Sequence, residues 1–246
     1  MVVYLLAALA GLSLGLLGGG GSILAVPIMV YTANISPKVA VAMSLAVVGV
    51  TTLFGVYGHY KARNINIKLA LQFGGAAIPS TFLGSYLSQL ISGTTQLIIF
   101  SIVMILAALF MLKGRQEVEE ANTQQNLLMT LLSGSFVGVM TGLIGVGGGF
   151  LIVPSLMYFT GTKIKEAVGT SLFIISLNSL IGFTSYLNKV DIDWSFMSKF
   201  TLASIIGILI GSKLVPFIPA QKLKKAFAIF LIIMGIFILY KNMGTL

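Results

Sequence analysis

The sequence predicts an all-α polytopic integral membrane protein built from two homologous four-segment repeats, and three observations carry that prediction. Hydrophobic residues make up 57% of the 246 residues and charged residues only 9%, a balance that excludes an ordinary soluble domain. The runs 1–37, 39–60, 69–112, 121–162 and 167–188 contain no Asp, Glu, Lys or Arg, and a membrane span needs about 20 such residues. A glycine-rich, proline-ended phrase also occurs twice, as GLLGGGGSILAVP from Gly15 to Pro27 and as GLIGVGGGFLIVP from Gly142 to Pro154, a spacing of 127 (142 minus 15). That register continues without a gap through Tyr31 and Tyr158, Lys38 and Lys165, Ser44-Leu45 and Ser171-Leu172, Gly55 and Gly182, and Gly84-Ser85 and Gly211-Ser212. A chance motif would not keep step so far. Hydrophobic halves interrupted by glycine at matching places point to a secondary transporter with its site at the repeat interface.

Taken in order, the first repeat, 1–113, reads as a helix over 2–33 interrupted at Gly18 to Gly21, then helices over 36–60, 67–90 and 94–113. Ser36-Pro37 is a helix start, with serine as cap and proline at the first helical position. Pro79 is expected to kink its helix. A polar linker, 114–125, follows. The second repeat, 126–246, repeats the pattern at 126–161, 163–187, 195–215 and 221–241.

The broken first segment decides the topology, because 32 helical residues would be about 48 Å long against a hydrocarbon core of about 30 Å. If the segment crosses, each half has four spans and the repeats are parallel. If it folds back as a re-entrant hairpin, each half has three spans and the repeats are inverted. Crossing divides the basic residues almost evenly between the two faces. The hairpin gathers Lys61, Arg63, Lys68, Lys113, Arg115, Lys163, Lys165, Lys213, Lys222, Lys224 and Lys225 on one face and leaves Lys38, Lys189, Lys199 and Lys241 opposite. The positive-inside rule therefore favours inverted repeats, six full spans and both termini outside.

Composition also narrows the chemistry. There is no cysteine and a single histidine, His59, so disulfides and thiolate metal sites are excluded and a zinc cluster has no ligand set. No cofactor is expected. The net charge of +9 sits in short connections between apolar runs, where it orients a membrane protein and meets headgroups rather than nucleic acid. The first apolar stretch lacks a basic leader region and is echoed in mid-chain, so it reads as part of the mature fold.

The two phrases GLLGGGGSILAVP and GVGGGFLIVPSLMYFTG, in halves of this length with a charged linker between them, resemble the TauE/SafE-type family of sulfite and organosulfonate exporters. The resemblance spans essentially the whole chain. It implies a multi-pass permease of the cytoplasmic membrane that handles small anions such as sulfite or a sulfonate.

The residues themselves suggest how an anion would be held. At Gly18, Gly19, Gly20, Gly21 and Ser22, and again at Gly145, Val146, Gly147, Gly148 and Gly149, one helix ends and another begins inside the bilayer, which lipid tolerates only against protein or a watered cavity. The free amides and positive dipole end of the second helix suit an oxyanion. The alternative is that the glycines serve close helix packing. The next helix of each half carries matched polar residues, Ser44 with Ser171, Thr51 with Asn178 and Thr52 with Ser179, near one face. They read as further anion donors, or as groups bonding back to their own helices. Lys38 and Lys165 stand at the mouth, where they attract an anion or snorkel to the interface. His59, near Lys61 and Arg63, is expected at the interface rather than in a proton relay. With no carboxylate or lysine at mid-membrane, direct carboxylate coupling is disfavoured.

The function expected is a secondary transporter of a small sulfur-containing anion, alternating access around the glycine breaks. An anion channel of the same architecture is the alternative, and an enzyme is disfavoured because no acid, base or metal constellation is evident. The expected partners are the anion and the bilayer, and a homo-oligomer stays open.

Overall fold

The computed structural model describes residues 2–113, 127–144, 149–187 and 189–243. The expected linker and Gly145, Gly147 and Gly148 lie outside the described residues. Ten α-helices follow one another among those described: α1 (Val2–Leu17), α2 (Gly20–Thr32), α3 (Pro37–Lys61), α4 (Ile67–Leu87), α5 (Gly93–Lys113), α6 (Leu127–Ile144), α7 (Gly149–Thr160), α8 (Ile164–Thr184), α9 (Trp194–Leu214) and α10 (Ala220–Met243).

Their ends follow local chemistry. Asn66 caps α4 by accepting from the Leu69 amide at 3.0 Å, and Asp193 caps α9 by accepting from the Phe196 amide at 2.9 Å, each meeting an amide that the helix leaves free. Pro37 occupies the start of α3 as expected, but the Ser36 side chain makes no cap bond. Pro79 lies within α4, which is assigned continuously from Ile67 to Leu87.

Six described helices are long and apolar enough to cross a membrane: α3, α5, α6, α8, α10, and α9 continued to Phe217. The protein is therefore a multi-pass helical membrane protein. The number matches expectation and the membership differs. Lys68, Gln72, Ser80 and Thr81 dilute α4, which is absent from the six, while α6 qualifies at 18 residues. Large apolar side chains such as Leu71, Leu106, Phe110, Ile206 and Ile233 are exposed on the outside, as a lipid-facing surface requires. Phe73, Phe100, Phe150, Phe200 and Phe227 fill the interior.

Glycine contacts set the directions of the helices. Gly11 and Gly15 of α1 press on the α9 backbone at Ser204 and Ile208, and Gly138 and Gly142 of α6 press on the α4 backbone at Ala77 and Thr81. A β-carbon at any of the four would sit 1.9–2.6 Å from the facing carbonyl oxygen, so only glycine permits this approach. Residue numbers rise together in both pairs, which makes α1 parallel to α9 and α6 parallel to α4. The contacts of Gly55 with Ile208 and Gly58 with Ser212 make α3 parallel to α9, while Gly74 with Ile174 and Gly182 with Thr81 make α4 parallel to α8. Gly49 meets Leu180 and Gly55 meets Leu172, so α3 and α8 cross in opposite directions. Hence α1, α3 and α9 point one way, and α4, α6 and α8 the other. Gly21 of α2 packs back on Ala10 and Leu14 of α1. The first segment thus doubles back, and both its ends lie on the face where α3 begins.

Candidate functional site

At the turn of the α1–α2 hairpin, Gly18 has a φ of +69°, a left-handed conformation that glycine adopts without penalty. Its amide still closes α1 by donating to Leu14 O at 2.9 Å. Gly19 is the cap position of α2, which no side chain caps, and the first amides of a helix have no partner within it and carry the positive end of the dipole. Gly20 opens that helix, and Gly21 provides the close contact with α1.

The starts of α2 and α7 meet. A β-carbon on Gly19 would lie 2.2 Å from Gly149 O, and one on Gly149 would lie 3.2 Å from Gly19 Cα. Gly149 is the first residue of α7 and also rests on Ile175 of α8. The starts of α2 and α7 are therefore in backbone contact inside the bundle.

The polar residues expected around the breaks divide into two groups. Ser22 donates to Gly19 O at 2.7 Å, Ser44 to Val41 O at 2.8 Å, and Thr52 to Val48 O at 2.8 Å. These hydroxyls bond back to local backbone, as polar residues in helices commonly do. Ser171 shares its hydroxyl between Val168 O and Gly18 O, at 2.8 and 3.0 Å, which ties α8 to the first break.

The second group has no such outlet. Thr51, Asn178 and Ser179 are all 0% exposed, and among the described residues the Thr51 Oγ1, both carboxamide atoms of Asn178 and the Ser179 Oγ have no hydrogen-bond partner. A buried polar group without a partner costs about 1–3 kcal/mol. Three such residues lie along the stretch where α3 and α8 cross, so the fold tolerates a sizeable penalty at this one place. Thr51 also borders a cavity of about 10 Å³ shared with Gly11, Gly21 and Ser204. That void is about the size of one water, so an oxyanion enters only if the surrounding helices part.

The lysines at the mouths behave differently from one another. Lys165 Nζ donates to Pro216 O at 3.0 Å, which fastens α8 to the turn after α9, whereas Lys38 is exposed. His59 stands in the last turn of α3 and is 1% exposed. Its Nε2 lies 3.3 Å from Gly15 O, and among the described residues its buried Nδ1 has no partner. Nearness to Lys61 and Arg63 in sequence suggested an interfacial ring. The glycines that enclose it, Gly15 and Gly169, come from helices far away in the chain.

A multi-pass helical bundle in which the starts of two inner helices meet, with buried side chains that are unpartnered among the described residues, has the build of a membrane transporter. The chain belongs to the sulfite exporter TauE/SafE family, which it matches over residues 3–238. It is 31% identical to a probable membrane transporter protein of Xylella fastidiosa, over 97% of this chain and 94% of the other. It is 28% identical to the probable membrane transporter protein YdhB of Bacillus subtilis, over 98% and 100%, and 27% identical to a probable membrane transporter protein of Methanocaldococcus jannaschii, over 94% and 93%. No solved structure matches it.

Proposed function

We propose that this membrane transporter is a secondary carrier of a small sulfur-containing anion, sulfite or an organosulfonate, with its site between the glycine breaks. The observation that carries the reading is the unpartnered set Thr51, Asn178 and Ser179, buried at the α3–α8 crossing. A sulfonate or sulfite offers acceptors to the Asn178 amide, both hydroxyls and the free amides at the start of α2. Binding through neutral donors suits an ion that must also be released, because no fixed countercharge holds it.

The halves act as inverted repeats in this reading. The opposed directions of α1 and α6, of α3 and α8, and of α4 and α9 support it, as do the matching glycine contacts 127 residues apart (Gly11 on Ser204, Gly138 on Ala77). Rocking of one repeat on the other exposes the site to each side in turn. The small void at Thr51 supports a carrier with an occluded state over an open channel. Both termini then lie outside, on the face carrying fewer basic residues. For an anion leaving a cell, the membrane potential contributes about 2.3 kcal/mol per charge per 100 mV.

Liposome flux tests the proposal. Saturation and counterflow with sulfite or a sulfonate support a carrier, and conductance far above carrier turnover would replace it with a channel. If no member of a sulfite, sulfonate and carboxylate panel binds the purified protein, the anion reading fails.

A further inference from the structure

We infer that His59 is the proton site of this transporter, its protonation favoured when the anion binds and disfavoured when the anion leaves. The inference rests on the anion reading above. His59 is the only histidine, and it lies on the same face of α3 as Thr51 and Gly55, since 51, 55 and 59 follow a four-residue step. Eight residues separate it from Thr51, about 12 Å along the helix.

His59 also touches α1, which ends at the first break, and α8, which holds Gly18 there. Its Nε2 is 3.3 Å from Gly15 O, one turn before Gly18, and its Cβ lies against Gly169, two residues before the Ser171 that holds Gly18 O. If the neutral ring donates Nε2–H to Gly15, the buried Nδ1 keeps a lone pair with no donor, which leaves a place for one proton.

The surroundings make protonation depend on a bound anion. Of the elements packed round the ring, α1 contributes no charged residue. α8 brings Lys163 and Lys165 at its start, with Glu166 as the one carboxylate, already engaged by Asn66 Nδ2 at 3.0 Å. α9 brings Lys213 beside Ser212, α3 itself Tyr60 and Lys61, the following turn Arg63, and α4 Lys68. Among the described residues here, Glu166 is already hydrogen-bonded, and an imidazolium has no other counterion until an anion binds. An anion near Thr51 supplies the missing charge. At about 12 Å and an effective dielectric of about 20, the attraction corresponds to about a tenfold change in either affinity, and the effect is reciprocal. The counterpart of His59, 127 residues on, is Tyr186, whose hydroxyl is paired with Ser88 at 3.0 Å. A phenol keeps its proton near neutral pH, so only the His59 end of the site exchanges one.

Methanesulfonate is the probe, because it does not titrate itself. Calorimetric binding in two buffers of different ionisation enthalpy counts the protons taken up. Near pH 7 the expectation from a tenfold coupling is net uptake of up to about half a proton per anion, affinity rising severalfold as pH falls from 8 to 6, and neither effect in His59→Gln or His59→Asn. Tyr186→Phe retains both. Histidine-selective NMR of the unmutated protein gives a second reading that no variant's folding can compromise: the single imidazole protonates on adding the anion. Anion binding with no proton uptake, or uptake that persists without His59, would overturn the inference and leave the anion site standing. Binding of none of the panel at any pH would overturn the anion reading, and this inference with it.

Discussion

The ends of the α3–α8 pair at His59 and at Tyr186 occupy positions 127 residues apart and are finished differently. At the His59 end, Gly169 lies so close to the turn after α3 that a β-carbon would be 2.1 Å from Asn64 O. The Asn66 amide there donates to Thr170 Oγ1 at 2.9 Å while its side chain holds Glu166. At the other end, Ala42 stands where Gly169 would be and Asp191 where Asn64 would be. The loop there lines a cleft of about 500 Å³ with Lys189, Asp191 and Trp194. Tyr186 is nearly buried, which pushes its phenol up from the usual range, and among the described residues the buried hydroxyls of Ser85 and Ser185 have no partners. One frame thus carries a mouth sealed by backbone contact and a mouth that keeps a cleft. The seal is specified by a few residues, so it can be broken one residue at a time.

The largest effect is expected from Gly169→Val, because the rigid Asn64 carbonyl must move and overpacking of this kind costs about 1–3 kcal/mol or more. The α3–α4 turn should lift and open the His59 end. Thermal unfolding in detergent measures the cost, and maleimide labelling of Asn64→Cys, in a chain with no other cysteine, should accelerate several-fold. Ala42→Gly at the other end should cost less than about 1 kcal/mol. Equal effects at the two positions would erase the distinction between the mouths.

A smaller difference separates the two helix caps. Asn66→Ala removes a cap worth about 1 kcal/mol and a hydrogen bond to Glu166 worth about as much again, whereas Asp193→Ala removes a cap alone. The unfolding midpoints of the two variants should rank accordingly. Smallest of all, Lys165→Gln should change stability by less than about 0.5 kcal/mol, its bond to Pro216 O being exposed. A loss of anion binding in that variant would move the site to the mouth.

Much of this was legible in the sequence because glycine and charge have few uses inside a bilayer. The run Gly18 to Gly21 located the first break. The 127-residue register paired Thr51 with Asn178 before any contact was known, and the basic residues pointed to the hairpin. What the sequence could not express was satisfaction and enclosure. Ser44, Thr52, Ser171 and Ser179 look alike in a sequence, and only geometry separates the three that bond to backbone from Ser179, which does not. The same limit hid the burial of His59, which depends on Gly15 and Gly169 arriving from other helices. It also hid the idle side chain of Ser36, whose cap bond depends on a rotamer.

Calorimetric titration of sulfite and methanesulfonate into the unmutated protein, Asn178→Ala and Thr52→Val tests the central claim most directly. The account predicts that Asn178→Ala loses about tenfold to a hundredfold in affinity without losing thermal stability, since it removes a buried group that has no partner. Thr52→Val should bind as the unmutated protein does, because that hydroxyl is occupied by its own helix. Unchanged affinity in Asn178→Ala, or an equal loss in Thr52→Val, would contradict an anion site at the α3–α8 crossing.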